Sequence, residues 1–252
     1  MFVDYISRFI DSNLTKPFFV VYSTSLVHPP YGPTPDDAEF ATWDYTIMES
    51  NKKFFPSMVK YMDKEIEKII HKLYSRGLMK NTVIVFTGDN GTPGDIVSLF
   101  KDHEIRGGKS ASNVYGTHVP LIVRWPGTVS PGQVSQALVD FSDFLPTFAG
   151  IAHASVPLNY GQLDGISFVP ALDGSNTNLR NWVFGCWKNK ERTGGRWQRW
   201  VQNRTYKLYD TVYNFFNIIK DPLQLSPIPE DSLTSDEVVI KNKFIHILNT
   251  VH

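Results

Sequence analysis

Residues 82–91 read TVIVFTGDNG, a run of six successive β-branched or aromatic residues followed by a glycine, an acid, an amide and a second glycine. Such a run reads as a strand buried in a sheet, and Thr82–Phe86 is predicted to be one. A second apolar run, in KPFFVVYSTSLVHPP, predicts a strand from Phe18 to about Ser23. Between them lies a helix. Pro56 suits its first turn, Val59, Met62, Ile66, Ile69 and Leu73 share one face, and Gly77 stands just past its end. Strand, crossover helix and strand form a βαβ unit, which requires parallel strands and favours a sheet covered on both sides. A third apolar run, Val119–Trp125, closes on Pro126 and Gly127. The expected class is therefore α/β, a largely parallel sheet flanked by helices. In such sheets functional loops leave the carboxyl ends of the strands. That polarity places His28 and the pair Asp89 and Asn90 on one rim.

The flanking segments are of other kinds. Phe2, Tyr5, Ile6 and Phe9 recur at helical spacing, without the basic leader or cleavage site of a signal peptide, so the chain is expected to start inside a folded helix. Tyr31–Phe54, proline-rich and then irregular, reads as a long surface connection, and VDFSDFLPTFAGIA as a short helix with Pro146 near its middle or at a break. From about Asn181 the segments VFGCWK, GRWQRWVQ and RTYKLYD suggest a small antiparallel sheet. A last helix follows, with Thr234 and Glu237 at capping-box spacing and Ile240, Phe244, Ile247 and Val251 on one face. The expected domains are 1–178, an α/β part, and 179–252, a small antiparallel-sheet-plus-helix subdomain.

Twenty-five basic residues balance 25 acidic ones, which argues against a general nucleic-acid or anionic-membrane binder. No segment approaches the roughly 20 apolar residues that span a bilayer. The single cysteine, Cys186, has no partner for an intrachain disulfide.

Two readings of Asp89 and Asn90 stand side by side. An Asp-Asn-Gly turn, in which the side chains satisfy backbone groups, is common. A carboxylate and an amide oxygen at a buried strand end are equally half a pocket for calcium or magnesium, although calcium takes roughly six to eight oxygens. His28, before two prolines, is either a structural loop residue or a group held in one direction. Lys109, in RGGKS, lacks the spacing of a phosphate-binding Walker loop and otherwise reads as part of a glycine-rich turn. His118 is ambiguous by itself, and His71, His246 and His252 read as surface or packing residues.

Taken in order, KPFFVVYSTSLVHPP, TVIVFTGDNG, RGGK and THVPLIVRWPG resemble the sulfatase family of the alkaline phosphatase superfamily, and RTYKLYD and NIIKDPLQL resemble its C-terminal subdomain. The resemblance implies an alkaline phosphatase-like fold and hydrolysis of sulfate esters, with sulfated small molecules or glycans as substrates. It implies that Asp89 and Asn90 ligate a calcium ion (or magnesium) that binds the sulfate group. It implies that Lys109 contacts a sulfate or bridging oxygen and that His28 assists the leaving group. His118 stands where many members carry arginine, so a substrate-binding role there is implied only as a variant. Family members are usually exported, which makes a periplasmic or extracellular location the expectation.

The family's nucleophile is a formylglycine made in a C/S-x-P/A-x-R motif. Cys186 is followed by Trp187, Lys188, Asn189 and Lys190, and no serine reproduces the motif. The chain is thus expected to be the second half of a sulfatase, inactive alone and a weak calcium binder. The alternative is a non-catalytic, sulfatase-derived protein that binds sulfated glycans or a protein partner; a related phosphodiesterase is disfavoured by Asn90 in place of histidine. Candidate substrate-recognition segments are Tyr31–Phe54 and GGRWQRW, the latter reading equally as a small aromatic core.

Overall fold

Helix α1, Phe2–Ser12, meets the long helix α2, Phe55–Ser75, along a stripe of Val3, Ile6 and Ile10. The structure, a computed structural model, describes residues 2–47, 49–157, 159, 161–188 and 194–251. Contacts within it divide the chain into two compact units, Met1–Thr82 and Val83–His252.

In the first unit both helices form where their periodicity predicts, α1 with its face turned slightly. Phe2 and Tyr5 are two-thirds exposed, while Ile6 is buried as expected together with Val3 and Ile10. On α2 the predicted face largely holds: Leu73 is buried and Met62, Ile66 and Ile69 are half-buried, Met58 joins them, and Val59 falls at the exposed edge. A helical stripe read at i, i+3, i+4 fits two neighbouring faces, and the partner helix decides between them. Asp11 fastens the two helices, accepting from Lys72 Nζ at 2.6 Å and Arg76 Nε at 2.7 Å. The Tyr31–Phe54 connection is pinned at both ends rather than lying loose on the surface. Tyr31 and Phe54 are buried, and the Asn51 amide donates to the Tyr31 carbonyl at 2.8 Å. Short 3-10 turns at Ala38–Ala41 and Lys52–Phe54 fill it.

The expected strand Phe18–Ser23 is not a strand. It has no ladder partner among the described residues and leaves Phe19 67% and Val21 73% exposed. A strand exists only by pairing, so apolar propensity by itself does not make one.

The second unit carries every described ladder, and all are antiparallel. Strand β1, Ile84–Thr87, pairs with β4, Leu121–Arg124, in the register Ile84↔Arg124 to Thr87↔Leu121. Strands β2, Val97–Phe100, and β3, His103–Arg106, form a hairpin turning on Lys101 and Asp102, with Lys101 at φ +54°. The largely parallel sheet expected from the βαβ reading is therefore not observed among the described residues: its expected first strand joins no ladder, and the neighbour β1 does find runs antiparallel to it.

A one-turn helix α3, Val114–Thr117, precedes β4. Beyond β4 the chain makes a 3-10 turn, Phe141–Asp143, that runs into helix α4, Phe144–Ile151, and a short helix α5, Val169–Leu172, follows. Pro146 falls in the first turn of α4, where a missing N–H is harmless, so the helix is unbroken. Asp143, fully buried, is the knot of this region. It accepts from the Asp140 amide at 2.7 Å and the Ile166 amide at 2.8 Å, and pairs with Arg180.

The C-terminal sheet forms as its aromatic, alternating sequence predicts, in the order β5 (Val183–Lys188), β6 (Trp197–Gln202), β7 (Tyr206–Tyr209), β8 (Phe215–Asn217). Helix α6, Ser235–Thr250, covers one face, closing a core of Val201, Leu208, Phe215, Phe244, Ile247 and Leu248. Its capping box forms: the Glu237 amide donates to Thr234 Oγ1 at 3.3 Å and the Thr234 amide donates to Glu237 Oε2 at 3.0 Å. The opposite face carries Trp200, Tyr209, Phe216 and Ile218, packed with Val114. His71 and His246 lie exposed on helices, and His252 is outside the described residues.

Candidate functional site

The end of β1 is where the second unit gathers its candidate residues, and glycines make the gathering possible. The Gly91 amide donates to the Gly116 carbonyl at 3.0 Å, the Lys109 amide to the Thr92 carbonyl at 2.9 Å, and the Gly107 amide to the Ile96 carbonyl at 2.9 Å. Three segments carrying Asp89–Asn90, Lys109 and His118 are thereby bolted backbone to backbone. There is no room in this joint for a side chain. A Cβ on Gly91 would stand 1.9 Å from the Tyr115 carbonyl oxygen, one on Gly107 2.2 Å from that of Pro93, and one on Gly116 2.0 Å from that of Ala111. Glycine is needed here for close approach rather than for unusual torsions.

Asp89 follows β1 as an exposed turn residue, and its Oδ1 accepts from the Asn90 amide at 2.9 Å. The acid is therefore not buried at a strand end; β1 itself is only half-buried, and the local turn chemistry expected of Asp-Asn-Gly is present. Asn90 and His118 line the same open cleft of about 330 Å³, together with Thr92, Ser98, Arg106 and Tyr115. Lys109 is half-buried beside it in sequence, held by its amide. Arg106, which the sequence reading passed over, donates through Nη1 to the Gly94 carbonyl at 2.9 Å. Its place immediately before the Gly-Gly-Lys stretch was the available signal.

His28 belongs to the first unit. Its Nδ1 lies 2.6 Å from the Pro29 carbonyl oxygen. A carbonyl only accepts, so Nδ1 carries the proton and Nε2 is the nitrogen left for another partner.

As a calcium site these residues are incomplete. Asp89 and Asn90 offer two side-chain oxygen ligands, against roughly six to eight for the ion. Among the described residues no group of three His, Cys, Asp or Glu gathers to hold a metal. The described residues do not make the site by themselves.

The GGRWQRW segment divides. Trp200 is buried across Gly185, where a Cβ would meet its ring at 2.3 Å, and Arg199 is paired with Asp210 through Nε at 3.0 Å, so these two are structural. Trp197 remains 60% exposed.

The family model for sulfatases matches residues 1–154, more than half of the chain. The chain belongs to the sulfatase family. A second model, N-sulphoglucosamine sulphohydrolase, C-terminal, matches residues 114–247 of this sulfatase chain. It is 26% identical over 227 residues to the ulvan-active sulfatase of Formosa agariphila, covering 85% of this chain and 42% of that protein. It is 29% identical over 191 residues to an arylsulfatase of Hemicentrotus pulcherrimus, covering 75% of this chain and 33% of that one. Among solved structures, Ps i-CgsB superposes with a TM-score of 0.73 at 23% identity, over 98% of this chain and 54% of that chain. That protein has also been solved in complex with k-i-k-neocarrahexaose. The superposition shows that the sulfatase, alkaline phosphatase-like fold is shared. The chain spans less than half the length of these two curated relatives. No helix among the described residues is long and apolar enough to cross a membrane.

Proposed function

We propose that this chain is the C-terminal portion of a sulfatase that hydrolyses sulfate esters of sulfated carbohydrates. The observation that carries the reading is the glycine joint, which brings the Asp89–Asn90, Lys109 and His118 segments together at one end of the β1–β4 pair. The ulvan-active relative and the oligosaccharide complex of Ps i-CgsB support a carbohydrate substrate. In the complete enzyme Asp89 and Asn90 supply one side of a calcium (or magnesium) site, and the remaining ligands and the formylglycine come from another part of the protein. Lys109 stabilises the charge that develops on oxygen as the S–O bond breaks. His28, its ring fixed through Nδ1, uses Nε2 toward the leaving oxygen. His118, in the cleft beside Asn90, contacts substrate. The complete protein is exported, to the periplasm or the medium.

The alternative, a non-catalytic glycan- or protein-binding descendant, requires a core sealed within this chain. The Phe18–Ser23 run, with Phe19 67% and Val21 73% exposed, supports the catalytic reading instead, because apolar surface of this kind invites further packing. The test is to extend the reading frame upstream, express the longer product and assay 4-nitrophenyl sulfate. Hydrolysis by the longer product, its loss by at least 100-fold in Lys109→Ala, and none by residues 1–252 alone are expected. A longer product without the C/S-x-P/A-x-R motif, or without sulfate-ester hydrolysis, would overturn the sulfatase reading; hydrolysis by the 252-residue chain would overturn the division of the site.

A further inference from the structure

Lys207 is the most unusual side chain of the second unit. It stands on β7 with none of its surface exposed, and no carboxylate among the described residues pairs with it. Its Nζ donates to the carbonyl of Ser112 and lies 4.4 Å from the Trp200 ring centroid and 5.1 Å from that of Tyr209. An unpaired buried ammonium is costly, and a methionine of similar length would fill the space without that cost. What lysine supplies and methionine cannot is an N–H donor aimed at one backbone carbonyl.

That carbonyl lies three residues beyond Lys109. The intervening loop has little regular structure: Ser110 sits at φ +67°, and the Ala111 amide closes a turn on the Gly108 carbonyl at 2.9 Å. The loop is held from two sides. On one, Thr92 accepts from the Lys109 amide. On the other, Ser112 is fixed to the C-terminal sheet: its carbonyl by Lys207, and its Oγ by donation to Gln198 Oε1 at 2.8 Å, with Tyr209 Oη 3.0 Å away. Val114 then packs on the Trp200–Tyr209–Phe216 face.

We propose that Lys207 is a positioning residue for Lys109, clasping the Ser112 carbonyl so that the C-terminal sheet sets where the Lys109 loop stands. The inference rests on the role of Lys109 in sulfate-ester hydrolysis given above. It makes the C-terminal sheet part of the working site rather than an appendage. The burial of Lys207, which draws its amine down to about 7, fits a group enclosed by rings and a carbonyl rather than by an acid.

Two measurements test it. In the 252-residue chain, hydrogen exchange of the 107–113 peptide is compared between the unaltered protein and Lys207→Met. Exchange at least tenfold faster in that peptide, with β5–β8 protection unchanged, is expected; unchanged exchange overturns the clasp. If Lys207→Met does not fold, Tyr209→Phe, which removes the hydroxyl that lies beside Ser112 Oγ and donates to Gln224 Oε1, must show the same localised loosening or the proposal fails. In the full-length sulfatase, 4-nitrophenyl sulfate kinetics are measured for Lys207→Met, Lys109→Ala and the double variant. A tenfold fall in kcat for Lys207→Met that shrinks to less than twofold in the Lys109→Ala background is expected. Equal losses in both backgrounds, or a lowered Tm with kcat intact, overturn the positioning role. An unaffected kcat in Lys109→Ala would instead sink the catalytic reading of Lys109, while the exchange result still decides whether the clasp exists.

Discussion

The buried amine of Lys207 gives the second unit a pH dependence that can be worked out in advance. Unfolded, the amine titrates near 10.5; folded, desolvation brings it to about 7. Across that window the unfolded chain carries more protons than the folded one, so the Lys207 contribution to stability rises with pH and is smallest below 7. One full proton of difference is worth about 1.4 kcal/mol per pH unit, and half a proton already separates the states at pH 7. Integrated from pH 7 to 9, the gain is about 2 kcal/mol. Tyr209 opposes this only later: burial pushes its phenol up to about 12, so above roughly pH 10 the unfolded chain sheds a proton the folded one keeps, and stability falls. The assay is urea unfolding followed by tryptophan fluorescence at pH 7, 8 and 9, and five of the six tryptophans lie in the second unit. Lys207→Met is the control, since other titrating groups are common to both proteins. The unaltered protein is expected to gain about 2 kcal/mol on the variant between pH 7 and 9. Parallel pH curves for the two would refute the reasoning, because they would mean that the amine stays charged, and therefore hydrated or paired, when folded.

Further substitutions test the packing. Asp143→Ala strands the half-buried Arg180 guanidinium and two backbone amides, and a loss of about 3 kcal/mol is expected by urea denaturation. Gly91→Ala forces a methyl group against the Tyr115 carbonyl and is expected to lower Tm sharply, whereas Gly94→Ala, whose Cβ would meet nothing closer than 3.5 Å, is expected to stay within about 1 kcal/mol of the parent. Thr234→Ala removes the acceptor at the start of α6 and should cost about 1 kcal/mol, read as a reduced urea midpoint.

What the sequence disclosed follows from how local each signal is. Helices α1, α2 and α6, the capping box at Thr234 and the C-terminal sheet depend on neighbours a few residues apart, and all form. The order of TVIVFTGDNG, RGGK and THVP was enough to indicate the family. The α2 face was legible apart from Val59, whereas Phe2 and Tyr5 of α1 fall outside the packed face because a partner helix, not the stripe alone, selects it. Strand partnership failed for a similar reason: Phe18–Ser23 has the propensity of a strand but no ladder among the described residues, and β1 met β4 from the opposite direction. At the site, the glycines of EIRGG and YGTH were visible, but not that Gly91, Gly107 and Gly116 meet in one place. The hairpin β2–β3 carried no Asn-Gly or Asp-Gly turn to announce it and was missed. Lys207 was hidden in RTYKLYD, where alternation puts it on the sheet face opposite Leu208, a face that reads as solvent until the Ser112 loop covers it.

The hydrogen bond from the Gly107 amide to the Ile96 carbonyl has a use for anyone reshaping this protein. It closes a neck beneath the β2–β3 hairpin, whose Val97, Leu99 and Phe100 stand largely in solvent. Everything above that neck, residues 97–106, is an insert with both feet already tied together. It can be shortened, lengthened or exchanged for another hairpin without asking the Asp89 turn or the Lys109 loop to move. On the proposed function, the wall of the cleft contributed by Ser98, Ile105 and Arg106 is thus the natural cassette for grafting new substrate preferences onto an unchanged base.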